Sequence, residues 1–163
     1  MIGLDIAFWI LAVVGIIAAL AVVLLRDVFR AALSLVLCFL AVAGIYIILS
    51  ADFLAAVQVL IYVGAISVLI ILAIMLTREV QQGSPSNRLQ IPAFIVALLF
   101  LGGVAFAMLN TSWPVSEVPP LEPTTSALAG LLFGEGGFIL PVEIAPLLLL
   151  AAILGAIVLV REK

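Results

Sequence analysis

The sequence contains no histidine and only one cysteine, Cys38, among its 163 residues. A haem, an iron–sulfur cluster or a structural zinc ion each needs two or more ligands of these kinds. The chain alone is therefore expected to hold no metal and no redox cofactor. Without histidine, and with a single acidic residue inside its apolar stretches, it also offers no nucleophile–base pair. Cys38 lies within an apolar run and is interpreted as a packing residue.

Charged residues are almost as scarce as metal ligands. They make up 9% of the chain, against 67% hydrophobic residues and a mean hydropathy of +1.53. A water-soluble domain of this size could not cover its core with so few polar side chains, so lipid is the solvent for most of the surface. No basic patch for nucleic acid is present. The composition indicates one membrane domain over residues 1–163, and Asp5 in place of a basic leader favours a retained first helix.

Five apolar stretches are long enough to cross a bilayer. We expect an all-α integral membrane protein with five transmembrane helices at about residues 6–25, 31–50, 53–76, 91–109 and 139–160, and a long loop over 110–138. The second and third helices are so close in sequence that they should form an antiparallel hairpin, with Asp52 as the N-cap of the third. Prolines at 114, 119, 120 and 123 favour an extended path in the long loop, and a short helix is expected at about 126–133 before a glycine-rich break.

The basic residues predict the orientation of the chain in the membrane. All six lie in three segments: Arg26 and Arg30, Arg78 and Arg88, and Arg161 and Lys163. With five spans, these three segments fall on one side of the bilayer. The N-terminal end, the turn at 50–52 and the 110–138 loop, which contain acidic residues but no lysine or arginine, fall on the other side. The positive-inside rule therefore places the N-terminus and the 110–138 loop outside and the C-terminus in the cytoplasm.

The third predicted span carries an unusual series of residues at membrane depth. No formal charge occurs from Phe53 to Leu76, and at ~1.5 Å per residue this length is about 36 Å, more than the roughly 30 Å hydrocarbon core. Within it stand Gln58, Tyr62, Gly64 and Ser67. Gly64 and Ser67 suit close helix packing and a hydrogen bond to the helix's own backbone. They also suit a π-bulge that changes register during function, and the sequence leaves both interpretations open.

Glu143 is the only acidic residue inside a predicted span. A charge near the bilayer centre costs roughly 2.5–3.5 kcal/mol on insertion scales, so such a residue is a functional candidate. Its position two residues after Pro141, near the third residue of the fifth helix, also suits a carboxylate that caps the free N–H groups. The pattern therefore predicts either a helix cap or a proton relay at Glu143.

Three stretches resemble one family of energy-converting membrane proteins. The run Gln58-Val-Leu-Ile-Tyr-Val-Gly-Ala-Ile66, with Gly44–Asp52 before it and Leu140–Leu159 near the end, closely resembles subunit J (chain 6) of proton-pumping NADH-quinone oxidoreductase, respiratory complex I. Ser67, where methionine or asparagine is expected, and Pro146, where a small residue such as serine is expected, depart from the family pattern. These departures bear on lineage more than on function.

The resemblance implies a non-redox, membrane-arm subunit that couples quinone reduction to proton transfer. In the family, the segment matching Tyr62, Val63 and Gly64 occurs with and without a π-bulge, and the change is proposed to gate a hydrated proton path; Gln58 and Ser67 flank it here. FMN, iron–sulfur clusters and quinone are expected in other subunits, with neighbouring small membrane subunits as partners. The expected location is a bacterial plasma membrane or an equivalent energy-coupling membrane. A purely structural assembly subunit and an independent small proton or cation carrier are the alternatives.

Overall fold

A computed structural model describes residues 2–77, 89–113 and 124–160, and every regular element within these ranges is a helix. The elements are α1 (Ile2–Leu24), α2 (Val28–Ile48), α3 (Asp52–Val57), a π-helix over Gln58–Ile66 that we call the π segment, α4 (Ser67–Leu76), α5 (Gln90–Asn110), α6 (Thr124–Phe133) and α7 (Ile139–Val160). α3, the π segment and α4 run on without a break as one rod, Asp52–Leu76. With α1, α2, α5 and α7, this rod makes five described helices long and apolar enough to cross a membrane, which confirms the predicted all-α class.

The second helix begins three residues earlier than predicted because an aspartate caps it. Asp27 accepts hydrogen bonds from the backbone N–H groups of Phe29 (3.0 Å) and Arg30 (3.2 Å), which satisfies two donors of the first turn. Arg30 also forms an ion pair with Asp27 at 3.4 Å. The prediction placed Arg30 outside the helix because the apolar stretch begins after it. The Asp27 cap instead starts the helix before the apolar stretch, so Arg30 lies within the first turn.

The turn between α2 and α3 differs from the prediction in its capping. Ser50 adopts a positive φ of 56°, and the Ala51 N–H donates to the carbonyl of Tyr46 at 2.9 Å, so the chain reverses within three residues. Ala51 is the N-cap and makes no side-chain cap hydrogen bond, while Asp52 is the first helical residue. The prediction of Asp52 as the N-cap is therefore wrong. Its carboxylate still lies in the first turn, where the helix dipole favours negative charge.

Helix α2 is at the centre of the packed part of the molecule. It contacts α1, α3, the π segment and α4, and its contact with α3 and the rest of the rod confirms the predicted hairpin. The hydrophobic residues buried in this core are all alanines: Ala18, Ala32, Ala41, Ala43 and Ala55. Small side chains let helix backbones approach closely in a membrane, where packing rather than the hydrophobic effect holds helices together.

Helices α5 and α7 contribute no buried residue to the described structure. Their bulky apolar side chains are exposed, for example Phe100 at 74% and Leu159 at 89%. α7 contacts only α6 among the described elements, and α6 in turn touches α3. Their surfaces are therefore suited to lipid or to other membrane proteins.

The loop predictions have mixed outcomes. Helix α6 confirms the short helix expected at about 126–133, and Gly136, at a φ of +77°, follows it in the predicted glycine-rich break. The extended path predicted at the prolines of 114–123 lies outside the described residues. So do four of the six basic residues: Arg78, Arg88, Arg161 and Lys163.

Candidate functional site

The backbone hydrogen bonding of the rod changes register in its middle. At the end of α3, the N–H of Gln58 donates to the carbonyls of Leu54 and Ala55, four and three residues earlier. At the start of α4, the N–H of Ser67 donates to the carbonyl of Tyr62, five residues earlier. The nine residues of the π segment lie between these two points. The span therefore contains π-helical hydrogen bonding where the sequence suited a π-bulge, and a change of register during function stays a prediction.

The side chain of Ser67 follows the same shifted register as its backbone. Its hydroxyl donates to the Tyr62 carbonyl at 2.6 Å, again five residues earlier. Three hydroxyls within or directly after other described helices bond the carbonyl four residues earlier, as α-helical serines and threonines do: Ser34 to Arg30, Thr77 to Ala73 and Thr111 to Ala107. Ser67 is only 2% exposed, so water competes little for this bond. Two donors of one residue thus hold one carbonyl in the π register.

Phe39 of α2 contacts the π segment in two ways. Its ring lies against the ring of Tyr62, with centroids 5.3 Å apart and an interplanar angle of 63°, an edge-to-face arrangement. Its backbone carbonyl accepts a long hydrogen bond, 3.5 Å, from Nε2 of Gln58. Gln58 is 8% exposed, so this contact supplies a partner for an otherwise buried amide. Gln58, Tyr62 and Phe39 form one polar and aromatic cluster, which we call the Phe39 cluster.

Gly64 does not sit at a close helix–helix contact within the described residues. A Cβ atom placed on it would meet one atom, the carbonyl oxygen of Val59 at 3.4 Å, which belongs to the π segment itself. Within the described residues the atom nearest to this position belongs to the widened turn, and the packing interpretation of Gly64 stays a prediction. Gly64 is exposed, as is Tyr62 at 43%, whereas Val63 is half-buried.

Sequence reasoning did not identify Phe39. The available signal was positional, because in an antiparallel hairpin residues at equal distances from the turn lie at the same height. Phe39 and Tyr62 lie at nearly equal distances along the chain from the Leu49–Ala51 turn. Applied to the predicted hairpin, this rule would have placed an aromatic residue of the second helix beside Tyr62.

Glu143 lies apart from the Phe39 cluster, on α7. It is the fifth residue of that helix, exposed and beyond the first turn, which corrects the expected position near the third residue. The helix continues through Pro146, and Glu143 precedes that proline by three residues. The choice between a cap and a relay stays a prediction, although the dipole and the free N–H groups act mainly in the first turn.

These features define a class of protein: a multi-pass helical membrane protein whose longest span carries a π segment packed on its hairpin partner. Residues 18–159 match the family described as NADH-ubiquinone/plastoquinone oxidoreductase chain 6. The chain is 42% identical to F420H2 dehydrogenase subunit J of Methanosarcina mazei, an alignment covering 96% of this chain and 90% of that protein. It is 43% identical to NAD(P)H-quinone oxidoreductase chain 6 of Synechocystis sp., with 96% and 80% covered.

The chain therefore belongs to the chain 6 family of NADH-quinone oxidoreductases, as the resemblance of its third and fifth spans indicated. It is a membrane subunit of this class of oxidoreductase and a multi-pass integral protein of an energy-coupling membrane. The five spans and the cyanobacterial relatives agree on this point.

Proposed function

We propose that this chain is an energy-coupling, non-redox subunit of a proton-translocating quinone oxidoreductase, and that its π segment is a register switch for proton transfer. The observation that carries the proposal is the pairing of Ser67 with the Tyr62 carbonyl through both its N–H and its hydroxyl. A π turn is less regular than an α turn and occurs frequently at functional sites. The hydroxyl of Ser67 adds a side-chain bond that stabilises the π turn. Such a bond is consistent with a segment that alternates between a π register and an α register.

The polar residues of the rod suit a proton path without a permanent charge. The phenolic O–H of Tyr62 can both donate and accept a hydrogen bond, so it can take part in a chain of hydrogen bonds that carries a proton. Gln58 and Ser67 offer further donors and acceptors on either side. Leu60 and Ile61, which lie between Gln58 and Tyr62 in the sequence, are apolar and exposed. Loss of the extra residue would turn one part of the rod by about 100° relative to the other, because one α-helical residue subtends that angle. We propose that this rotation replaces polar side chains by apolar ones at the wall of a water-filled path, and so opens or closes the path.

The electron donor and the redox groups belong, in this proposal, to other subunits. The relatives carry names with different donors, F420H2 in one and NAD(P)H in another, although they are about equally similar to this chain. The same type of membrane subunit thus fits more than one donor. We propose that FMN, iron–sulfur clusters and quinone are bound elsewhere in the complex, and that neighbouring small membrane subunits are the direct partners.

Substitution of Gly64 tests the register switch. In the π register a Cβ at this position lies 3.4 Å from the Val59 carbonyl, so alanine fits and the added methyls of valine press on that oxygen. We expect Gly64→Val to lower the ratio of protons translocated to electrons transferred in the assembled complex, and Gly64→Ala to leave it near the wild-type value. Gly102→Val on α5 is the matched control, because nothing lies within 4 Å of its Cβ position.

The same experiment separates the proposal from a structural assembly role. Unchanged coupling in an assembled Gly64→Val complex would favour a scaffold whose polar residues only pack.

An independent carrier is distinguished by purification, since a carrier transports ions when reconstituted alone, whereas a subunit co-purifies with several membrane proteins and is inactive in isolation. Carriers also tend to have charged or broken-helix sites near the midplane.

We further propose that the N-terminus lies outside and the C-terminus in the cytoplasm. The support is the positive-inside pattern, of which two residues lie within the described structure: Arg26 between α1 and α2, and Arg30 in the first turn of α2. In a Cys38→Ala background, a cysteine at Ala51 should react with a membrane-impermeant maleimide added to intact cells. A cysteine at Asp27 should react only after the cells are opened. The opposite pattern would reverse the orientation.

A further inference from the structure

A cavity of about 870 Å³ lies between the turn that joins α1 to α2 and the start of α5. No Cα atom of α5 lies within 8 Å of a Cα atom in another described helix, so a space separates α5 from the packed core. The cavity volume falls within the roughly 300–1,000 Å³ that is usual for ligand sites. Inside a bilayer such a space is filled, because atoms that face a void lose their dispersion contacts on that side.

The lining of the cavity is polar at one end and apolar beyond it. Arg26, in the turn between α1 and α2, and Gln90, the first residue of α5, line the end nearest the membrane surface, which we call the mouth. Deeper in, the walls include Val22 of α1 and two alanines of α5, Ala93 and Ala97. Ala97 is seven residues beyond Gln90, so the cavity extends about 10 Å along α5 at ~1.5 Å per residue. The lining thus matches a molecule with a polar head and an apolar chain.

Arg26 supplies a positive charge at the mouth. It is exposed, and it forms no ion pair with any residue that the structure describes. The neighbouring carboxylate of Asp27 is already engaged: one oxygen accepts the N–H groups of Phe29 and Arg30, and the other pairs with the Arg30 side chain at 3.4 Å. A guanidinium group binds phosphate through two parallel hydrogen bonds. The mouth therefore favours an anion that contains phosphate.

We propose that this cavity binds one anionic phospholipid, with its phosphate at Arg26 and part of an acyl chain between Ala31 of α2 and the alanines Ala93 and Ala97 of α5. Basic pockets between transmembrane helices bind the head groups of anionic lipids. The lipid links α5 to α1 and α2 where the helices make no direct contact. This inference rests on the lining and charge of the cavity and is independent of the proposed register switch.

Photo-crosslinking from the cavity wall tests the proposal. The photoreactive residue p-benzoylphenylalanine replaces Phe94, which lines the cavity, in the intact complex in native membranes. After irradiation, mass spectrometry identifies the molecules attached to the subunit. We expect lipid adducts in which anionic phospholipids are enriched over their share of the membrane. Ile95 is the matched control, because it is at nearly the same depth and 52% exposed but does not line the cavity. The same residue at position 95 should capture lipid without this enrichment.

Substitution of Arg26 tests the role of its charge. Arg26→Gln should lower the anionic adduct from position 94 about fivefold, which corresponds to about 1 kcal/mol, whereas Arg26→Lys should retain most of it. Arg30→Gln is the matched control, since it removes a charge at the same end of α2 from a residue that does not line the cavity.

Filling the cavity tests its role in binding the acyl chain. Ala97→Phe places a ring inside the cavity and should also remove the adduct from position 94. Ala105→Phe, on the same helix but outside this cavity, should not remove it. Assembly of each variant complex is measured alongside, so that a lost adduct is scored only in assembled complex.

The other outcomes overturn the proposal. An adduct between position 94 and another protein subunit shows that a partner helix occupies the space. Lipid adducts whose anionic share is unchanged in Arg26→Gln show that Arg26 does not select the head group. Equal enrichment at position 95 points to the general surface of α5 rather than to the cavity. Absence of any lipid adduct at position 94, when position 95 captures lipid, also overturns it.

Discussion

The side chain of Leu11 in α1 fills the space beside Gly44 in α2. A Cβ atom on Gly44 would lie 2.7 Å from Cδ1 of Leu11, so glycine is what allows the two helices to approach this closely. At Gly15, by comparison, a Cβ would meet Ala41 at an ordinary contact distance of 3.5 Å. The contact of Leu11 with Gly44 thus leaves no free space for a side chain at position 44 unless the tip of Leu11 moves.

Gly44→Val should loosen the packing of α1 on α2. Overpacking of a tight contact costs about 1–3 kcal/mol, and the tip of Leu11 can move aside for one methyl more easily than for a branched side chain. We expect a lower thermal-inactivation temperature and less subunit in the membrane fraction. Gly103→Val on α5, with nothing within 4 Å of its Cβ position, is the control. Equal stability of the two variants would contradict the contact.

Ser67→Ala should shift the rod toward the α register. The variant loses the 2.6 Å bond to the Tyr62 carbonyl, and a hydrogen bond of this kind contributes about 0.5–1.5 kcal/mol, a roughly two- to tenfold change in population. We expect a lower ratio of protons to electrons with normal assembly, and recovery in Ser67→Thr. Ser34→Ala, which removes a bond to Arg30 in the ordinary register, should have no effect on coupling.

Tyr62→Phe separates the phenol from the aromatic contact. The ring remains against Phe39 at the same position, whereas the O–H available for proton transfer is removed. We expect assembly and stability near the wild type and slower proton translocation, measured by the quench of a pH-sensitive dye in vesicles. Tyr62→Ala should lose both properties. If Tyr62→Phe pumped at the wild-type rate, the proton path would not use this hydroxyl.

Glu143→Gln tests the remaining choice on α7. Because Glu143 is the fifth helical residue, the amide should leave the stability of the helix unchanged, whereas a relay needs a group that binds and releases protons. We expect assembled complex with reduced proton translocation. A fall in complex abundance, with normal pumping per assembled complex, would instead support capping.

The sequence predicted the spans well because bilayer thickness imposes a length on every apolar helix. Residues 139–160 were predicted and found, and the fourth span differs by one residue at each end. The first helix begins at Ile2, four residues earlier than predicted. Two other errors occur where local hydrogen bonding decides. The Asp27 cap extends α2, and the positive φ of Ser50 makes Ala51 rather than Asp52 the N-cap.

The site was predictable in part. A glycine two residues after a tyrosine, in an over-long apolar helix, indicated a place where a π-bulge fits, and the π segment includes both residues. The length of the π segment and the partner of Tyr62 were not predictable. Hydropathy is insensitive to whether a carbonyl bonds four or five residues ahead, and Phe39 is recognised only when two helices are placed side by side.

The bare surfaces of α5 and α7 have a consequence for how the cell makes this protein. A chain inserted into the membrane before its partner subunits would expose the apolar helices α5 and α7, and the unpaired carboxylate of Glu143, to the bilayer. Such orphan chains are natural targets for quality-control proteases. The supply of companion subunits, rather than the rate of its own synthesis, would then set how much of this protein persists.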